Sequence, residues 1–262
     1  MNPRQPAQPP ALLYDSPEIY DVAFGWDLEM ELTFVDSLFL AHAVDPVRRV
    51  LEPACGTGRI LAALAKRGYE VLGYDRSAGM VAYASAMLRP LGGRVMRGDM
   101  ESFLPPGRFD AAINLVNSIG YLLEDGGVAS HLERVAEALR PGGVYLVQFS
   151  YGGEPPERAS FGPWPNARAG LRTELTWRVA REDAEARRSY QECRIVATRG
   201  QERRVIEESH VLRYWTQEDF DRLVEASAFE LAAVYFDRFE EKRLDECRTG
   251  ADGNLYHVLR RR

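Results

Sequence analysis

The sequence predicts an α/β protein in which helices cover both faces of a mostly parallel, seven-stranded sheet. Between residues 47 and 150, short apolar runs alternate with stretches of helical periodicity. The clearest of these stretches places Val128, Leu132, Val135 and Leu139 on one face of a helix. Such alternation is typical of a doubly wound sheet, because each crossover helix returns the chain parallel to the strand before it.

Local patterns predict the individual elements. The Ser-Pro-Glu sequence at 16–18 is typical of a helix start, so residues 14–43 are expected to form a helical N-terminal cap. Thr216, with Asp219 three residues later, is expected to begin the last helix. The predicted strands of the main sheet are 47–54, 69–74, 94–97, 109–116, 143–150, 230–237 and 255–260.

A segment of different periodicity interrupts this alternation. Residues 151–166 are rich in Gly and Pro and are expected to form a loop. From Leu171 to Val179, apolar and polar residues alternate strictly, and weaker alternation follows at 187–198 and 203–214. The pattern predicts a small antiparallel β insert with one buried face. Such an insert serves as a lid over a pocket, as a homodimer surface, or as both.

The chain therefore divides into five parts. The start is rich in Pro and Gln, which is typical of a disordered tail. The expected parts are the tail at 1–13, the cap at 14–43, the core at 44–150, the loop and insert at 151–214, and the final helix and strands at 215–262.

The composition excludes several classes of function. A net charge of −6 and an isoelectric point near 5.4 argue against nucleic-acid binding, which needs a broad basic surface. Cys55, Cys193 and Cys247 lack the spacing of metal ligands, so no metal is expected and free thiols in a reducing cytoplasm fit best. No charged leader precedes an apolar segment, and no run reaches membrane-spanning length, so membrane contact is not expected.

The stretch from Val50 to Asp75 indicates a nucleotide site. It combines an apolar strand, a glycine-rich turn, a helix and a second strand that ends on a carboxylate. A triphosphate loop requires Gly-Lys-Ser/Thr after its glycines, whereas Arg-Ile follows Gly58 here. The dinucleotide fingerprint requires a small third residue, whereas Leu61 stands there. A dehydrogenase stays an alternative, because a carboxylate such as Asp75 holds ribose in either class.

S-adenosylmethionine fits the residues around this turn better. It carries no phosphate and presents a methionyl ammonium and carboxylate, a ribose and an adenine. A site for it requires an acid for the ammonium, glycines for close approach of the backbone, a carboxylate for the ribose and a polar group for the adenine amine. Residues of these kinds occur in that order, as Glu52, Ala54, Gly56, Gly58, Asp75 and Asp99.

Residues 47–150 resemble the core of the class I, Rossmann-like S-adenosylmethionine-dependent methyltransferases. The matching stretches occur in the family's order and are LEPACGTG, GYDRSAGM, GDM, FDAAINLVNSIGYL and LRPGGVYLV. The usual first glycine of the turn is Ala54 here. The extra methyl group should be tolerated if Ala54 keeps a negative φ.

The resemblance implies a role for each matched residue. Glu52 is expected to orient the methionyl end, Asp75 to bind the ribose and Asp99 to bind the adenine amine. Arg59 begins the helix after the turn and could pair with the carboxylate of the cofactor. The remaining expected cofactor contacts are Ala54, Gly56, Gly58, Arg76, Met80, Met100 and Leu115.

The resemblance extends to small-molecule N-methyltransferases, including bacterial enzymes that dimethylate amino groups of nucleotide-linked sugars. It does so through GDM and the segment 117–122. Tyr20 and His210 are the candidate catalytic residues, whereas His131 is expected to face away from the site. The candidate acceptor-pocket residues are Tyr14, Asn117, Tyr121, Trp164 and Trp215.

The acceptor itself stays open between classes. An amine needs no strong base before attack, whereas an oxygen acceptor needs a His or a carboxylate. The fourth strand lacks the Asn/Asp-Pro-Pro-aromatic sequence expected for a flipped base. The alternatives to an amine methyltransferase are an O-methyltransferase, a methyltransferase of a modified RNA base, and a non-catalytic module that binds S-adenosylmethionine.

Overall fold

The structure is a computed structural model that describes residues 13–152, 160–236, 241–242 and 255–262. Residues 1–12 of the predicted tail, part of the predicted loop, the end of the strand predicted at 230–237, and Cys247 lie outside these ranges. The helices are α1 Pro17–Ala23, α2 Glu29–His42, α3 Arg59–Lys66, α4 Ala78–Leu88, α5 Asp125–Ala138 and α6 Gln217–Glu225. The strands are β1 Arg49–Pro53, β2 Glu70–Asp75, β3 Arg94–Arg97, β4 Phe109–Asn114, β5 Leu139–Phe149, β6 Ser160–Arg168, β7 Leu171–Asp183, β8 Arg188–Arg199, β9 Glu202–Arg213, β10 Phe229–Phe236, β11 Glu241–Lys242 and β12 Leu255–Arg261.

The main sheet has the predicted seven strands and a two-residue edge strand. Its order is β11-β10-β12-β5-β4-β1-β2-β3, and the five strands from β5 to β3 are parallel. β12 runs antiparallel to both β5 and β10. The chain builds outward from β1 to β3 and then returns to β4 on the other side of β1. A crevice at the carboxyl ends of β1 and β4 follows from this reversal, which is where open α/β sheets bind ligands.

Both faces of the sheet are covered, as predicted. Val50 packs into the cluster formed with α2 and α3, whereas the next residue, Leu51, packs into the cluster formed with α5 and α6. Successive side chains of a strand point to opposite faces of the sheet. A strand that lies between two apolar clusters therefore needs apolar residues at almost every position. Thr216 caps α6 as predicted, because its side chain accepts the Asp219 N–H at 3.1 Å.

Two predicted boundaries are wrong. The cap is two helices, because the chain turns at Gly25, where an added Cβ would lie 2.9 Å from the Val22 carbonyl oxygen. Leu139 was expected on the helix, but α5 ends at Ala138 and Leu139 begins β5. Pro141, two residues later, cannot donate a helical hydrogen bond, which favours the earlier end.

The insert is a four-stranded antiparallel sheet in the order β6-β7-β8-β9. Strand β6 lies where a loop was expected, because proline is tolerated in an edge strand. The predicted buried face is present: Leu175, Cys193 and Ile206 pack against Ala23 and Phe24 at the end of α1. Helix α1 therefore lies between the insert and the main sheet.

Candidate functional site

The turn after β1 contains three residues in the left-handed region. Their φ angles are 53° at Ala54, 53° at Gly56 and 75° at Gly58, which directly precedes α3. The condition under which Ala54 should be tolerated, a negative φ, is therefore not met. Alanine accepts this conformation at a cost of about 1 kcal/mol, which the surrounding hydrogen bonds must offset. The turn keeps the tight geometry of the glycine-rich form despite the substitution.

Leu61 fits at the third position of the turn motif because the neighbouring strand, β2, carries a glycine where the two meet. A Cβ added to Gly73 on β2 would lie 2.4 Å from Leu61 Cδ1 and 2.7 Å from Cys55 Sγ. The absent side chain at Gly73 thus leaves the space that Leu61 and Cys55 fill. Helix α3 therefore packs closely against the sheet, with the large residue, Leu61, on the helix and the small residue, Gly73, on the strand.

Glu52 lies at the carboxyl end of β1 and lines a pocket beside the turn. Its side chain is buried, and its Oε2 atom has no hydrogen-bond partner among the described residues. Burial raises the pKa of this carboxyl well above its usual range. An unpartnered buried carboxyl destabilises the folded chain. A cationic group placed in this pocket would relieve that cost.

Asp75 ends β2 and holds the turn in place. Its two carboxylate oxygens accept the backbone N–H groups of Gly56 and Ser77, both at 2.9 Å. Burial raises the pKa of the Asp75 carboxyl, whereas the two N–H donors oppose the rise. A carboxylate offers about four acceptor sites, so capacity for a pair of hydroxyl groups is left over.

The segment after β3 carries the residues expected at the adenine. Asp99 is exposed, and its Oδ1 accepts the Glu101 N–H at 2.9 Å. Met100 is partly buried, with Sδ 3.7 Å from Asn114 Nδ2. His131, which was expected to face away from the site, is not among the residues that line the pocket beside the turn. The His131 ring is fully buried with Nδ1 3.2 Å from the Met100 carbonyl oxygen, so it supports this segment from below the surface.

Arg76 and Met80 differ in exposure at the start of α4. Arg76 is exposed one residue after Asp75, and its charge lowers the pKa of that carboxyl. Met80 is fully buried, and its N–H donates to the Ser77 side chain at 3.2 Å. Ser77 is therefore the N-cap of α4.

The chain after β4 is strained where it borders the pocket. Val116 and Asn117 both have positive φ, 60° and 55°, which is unusual for a β-branched residue such as valine. Gln148 on β5 holds them: its Oε1 accepts the Val116 N–H at 2.7 Å, and its carbonyl accepts the Asn117 N–H at 3.1 Å. Strain of this kind persists where the surroundings impose it and is concentrated at functional sites.

The pocket itself lies between this strained segment and the cap. Leu115, Val116 and Ser118 line one side, and Tyr20 lines another. A Cβ added to Gly56 would lie 3.8 Å from Tyr20 Cε1, so the tyrosine ring covers the turn. The pocket is also lined by Glu52, Ala54, Arg59 and Trp26, and the Arg59 guanidinium stands 4.3 Å from the Trp26 ring centre.

Three of the expected acceptor and catalytic residues form one hydrogen-bonded chain. Tyr14 Oη lies 2.6 Å from Tyr121 Oη, which lies 3.0 Å from His210 Nδ1. Trp177 stacks on the His210 ring at 5.0 Å. Burial lowers the pKa of His210 to about 4, so the ring is neutral at pH 7, and its Nε2 has no partner within the described part of the chain. Tyr20 joins this group to the pocket, with its ring centre 5.9 Å from that of Tyr14.

The two tryptophans expected in the acceptor pocket differ in burial. Trp215 is 1% exposed and packs between Phe149 and Phe220 in the core, so its assignment to the acceptor pocket is wrong. The chain turns inward after β9, and a large ring there fills the core. Trp164 is half-exposed on β6 and stacks against Phe161, at the edge of the sheet face that covers α1.

Several residues that shape the site were not predicted, namely Asp21, Thr57 and Gln148. Gln148 had a visible signal, since it is the one amide in the apolar run of β5. Asp21 is fully buried on α1 and accepts the Thr57 hydroxyl at 2.9 Å. Its partner lies 36 residues away, so periodicity carries no signal for it.

Neither a metal-binding cluster nor a membrane-spanning helix occurs in the ranges that the structure describes. No group of three or more His, Cys, Asp or Glu side chains there has an arrangement that could hold a metal ion. No helix there combines the length and apolarity needed to cross a membrane.

Comparison with known proteins identifies the central region. Residues 50–143 match a family model described as a methyltransferase domain. The chain is 28% identical over 137 residues to a dTDP-3-amino-3,4,6-trideoxy-alpha-D-glucopyranose N,N-dimethyltransferase of Streptomyces venezuelae, covering 51% of this chain and 56% of the relative. It is 33% identical over 134 residues to a dTDP-3-amino-3,6-dideoxy-alpha-D-glucopyranose N,N-dimethyltransferase of Streptomyces fradiae, covering 50% and 51%. The matches thus span about half the length of these curated relatives.

Solved structures match nearly the whole chain. DesVI of Streptomyces venezuelae superposes with a TM-score of 0.73 at 20% identity, covering 94% of this chain and 96% of that one. An amino pentose methyltransferase from Micromonospora echinaspora, solved with S-adenosylmethionine bound, gives a TM-score of 0.71 at 23% identity, covering 93% and 97%. At these identities the likeness establishes the fold. Residues 50–143 therefore match a methyltransferase domain, and the chain has the Rossmann-like α/β fold of these solved structures.

Proposed function

We propose that the protein is an S-adenosylmethionine-dependent methyltransferase that methylates an amine of a small molecule. The observation that carries the proposal is the buried Glu52 carboxyl, whose Oε2 lacks a partner among the described residues and which lines the pocket at the glycine-rich turn. That pocket suits a ligand with a cationic group and no phosphate. The match to a methyltransferase domain over residues 50–143 supports the same cofactor.

The residues present fit this cofactor. We propose that Glu52 holds the methionyl ammonium and that Arg59 pairs with the methionyl carboxylate. The backbone of Ala54, Gly56 and Gly58 allows close approach to the methionyl end. In our proposal Asp75 binds the ribose hydroxyls, Asp99 binds the adenine amine, and Arg76, Met100 and Leu115 complete the cofactor contacts. Met80 was expected among these contacts, but it is fully buried and packs in the core instead. When bound, the cofactor supplies a methyl group on a cationic sulfur, which a neutral amine attacks in line with the departing sulfur.

The acceptor is proposed to bind in the pocket at Tyr20, next to the Tyr14–Tyr121–His210 chain. Tyr20 lines the cofactor pocket, and its neighbour Tyr14 begins the hydrogen-bonded chain. Holding an amine there at contact distance supplies much of the rate. His210 is neutral at pH 7 because burial lowers its pKa to about 4, so it is a weak base. We propose that it orients Tyr121 through their hydrogen bond and that the proton of the methylated amine leaves to solvent.

We propose an amine on a nucleotide-linked sugar as the acceptor class. Both curated relatives are named as N,N-dimethyltransferases of dTDP-linked amino sugars. Asn117 and Trp164 are proposed to contact more distant parts of the acceptor. Asn117 has a buried Oδ1 without a partner in the described ranges, and Trp164 offers a half-exposed ring at the edge of the insert.

We further propose that the parts of the chain act as a cap at 14–43, a cofactor-binding core at 44–150 and an insert at 151–214 that covers α1 and also pairs two subunits. The stacked, half-exposed Phe161 and Trp164 on the edge strand supply an apolar contact for such a homodimer. Light scattering should report a dimer for the wild type and a monomer for Phe161→Arg.

We propose the cytoplasm as the location of the protein, since Cys55 and Cys193 are buried free thiols.

Methyl transfer can be tested directly with cofactor carrying a ¹³C-labelled methyl group. The purified chain is incubated with it and dTDP-3-amino-3,6-dideoxy-D-glucose, and the products are read by mass spectrometry. The expected result is a labelled N-methyl product that is absent with Glu52→Met. Binding of NAD without binding of S-adenosylmethionine or S-adenosylhomocysteine would refute the proposed function.

A further inference from the structure

A buried carboxylate lies where three parts of the molecule meet. Asp21 on α1 is fully buried. Its Oδ1 accepts the hydroxyl of Thr57 at 2.9 Å, and its Oδ2 accepts the hydroxyl of Tyr83 at 3.0 Å. The same Oδ2 forms an ion pair with Arg168. The donors belong to the glycine-rich turn, to α4 and to β6, so one side chain joins the core, the cap and the insert.

The ion pair depends on how the insert is seated. Arg168 is about half-exposed and reaches Asp21 from the edge strand of the insert. A second contact runs beside it, because Asn166 Nδ2 donates to the Ala23 carbonyl at 3.1 Å. A carboxylate without exposure needs its full set of donors, since an unpaired buried charge is costly. Displacement of β6 from α1 would therefore deprive Asp21 of its ion pair with Arg168.

The other side of the same carboxylate meets the cofactor turn. Thr57 stands between Gly56 and Gly58 and is 2% exposed. Tyr20, the residue before Asp21, places its ring over Gly56. A shift of α1 that displaces Asp21 therefore alters the hydrogen bond between Asp21 and Thr57. The same shift moves the Tyr20 ring that covers the turn.

We infer that Asp21 is a positioning residue that couples seating of the insert to the shape of the cofactor turn. The inference rests on the proposed function, because it assigns a use to the turn as a cofactor site. Coupling between two sites is reciprocal. Cofactor binding therefore favours the seated insert, and the seated insert favours cofactor binding. Arg168, which is not among the residues lining the pocket at the turn, becomes a determinant of cofactor affinity.

Calorimetric titration with S-adenosylhomocysteine tests this coupling without requiring an acceptor. Arg168→Ala should weaken binding by about 5- to 50-fold, and Arg168→Lys, which keeps the charge, should recover part of the loss. The matched control is Arg178→Ala on β7, whose partner is Glu192 at the surface of the same insert. That control should bind like the wild type. Thermal melts identify any variant that is not folded at the titration temperature.

A double-variant comparison separates coupling from a merely structural effect. Asp21→Asn should weaken binding on its own, and adding Arg168→Ala should then cause little further loss, because the partner has gone. Equal affinity of Arg168→Ala and wild type, or losses that simply multiply in the double variant, would overturn the inference. A wild-type chain that does not bind S-adenosylhomocysteine would instead overturn the proposed function, and the inference with it.

Discussion

Replacement of Glu52 by methionine should change stability and cofactor binding in opposite directions. Glu52 is buried and has an oxygen without a described partner, so the folded chain carries an unpaired polar group. Such a group costs about 1–3 kcal/mol. Methionine has a similar length and no such group. Glu52→Met should therefore raise the free energy of unfolding in the absence of cofactor by about 1–3 kcal/mol at pH 7.

The same substitution should weaken the binding of S-adenosylhomocysteine. A hydrogen bond to a charged group contributes about 1.5–3 kcal/mol, which corresponds to roughly a 10- to 100-fold loss in affinity. Urea denaturation, monitored by tryptophan fluorescence, measures the free energy of unfolding, and calorimetry measures the affinity. Glu70→Met serves as the control, since Glu70 is exposed on β2 and should alter stability by less than about 0.5 kcal/mol.

The pH dependence provides a further check on Glu52. Burial raises its pKa in the folded state above the ordinary value of 4.5. The protonated carboxyl therefore contributes stability below that value, and the contribution is lost as the pH rises through the folded-state pKa. The advantage of Glu52→Met should be smallest near pH 4 and should grow toward pH 8. A variant that is less stable than wild type at pH 8, or that binds S-adenosylhomocysteine equally well, would refute this account of Glu52.

Five other substitutions have defined outcomes. Asp75→Ala should lower the affinity for S-adenosylhomocysteine by roughly 10- to 100-fold in calorimetry, whereas Asp99→Ala, at an exposed position, should cost less; equal losses would contradict the assigned roles. Gln148→Leu should lower the free energy of unfolding by about 1–3 kcal/mol, because it leaves the Val116 N–H unpaired. Val116→Gly should cost less than that, because glycine adopts a φ of 60° freely, and urea midpoints of the two variants decide the order. His210 is neutral in the folded state with a pKa lowered from 6.5 to about 4, so its contribution to stability is present above pH 6.5 and is lost as the pH falls through about 4. Between pH 7 and pH 5, wild type should lose about 2 kcal/mol more than His210→Phe; parallel pH profiles would show that His210 does not titrate in this way.

The main sheet was predictable from the sequence because burial on both faces makes its strands apolar throughout. Val50 and Leu51 are both apolar for this reason, although they pack on opposite faces. Strand β6 was not predictable, because its prolines are tolerated by the edge position, which is a property of the assembled sheet. The break between α1 and α2 was not predictable either, since it depends on the close approach of Gly25 to the end of α1.

The residues of the candidate site also divide into those that the sequence predicts and those that it does not. Glu52 and Asp75 were predictable, because they are acids at the ends of apolar strands beside a glycine-rich turn. The conformation of Ala54 was not, since the turn imposes a positive φ on a residue that usually avoids it. Asp21 finds its partners 36, 62 and 147 residues away. Contacts of that range depend on the completed fold, and local pattern contains no trace of them.

The insert leaves and rejoins the main sheet at nearly one point. The Gly152 N–H donates to the Trp215 carbonyl at 2.7 Å, so the two ends of the intervening segment are held side by side. A segment anchored in this way can lengthen, shorten or be exchanged while the strands that carry the proposed cofactor residues keep their register. Grafting the corresponding segment of a relative between these two anchors is thus a direct route to chimeric proteins that share the main sheet and differ in the insert.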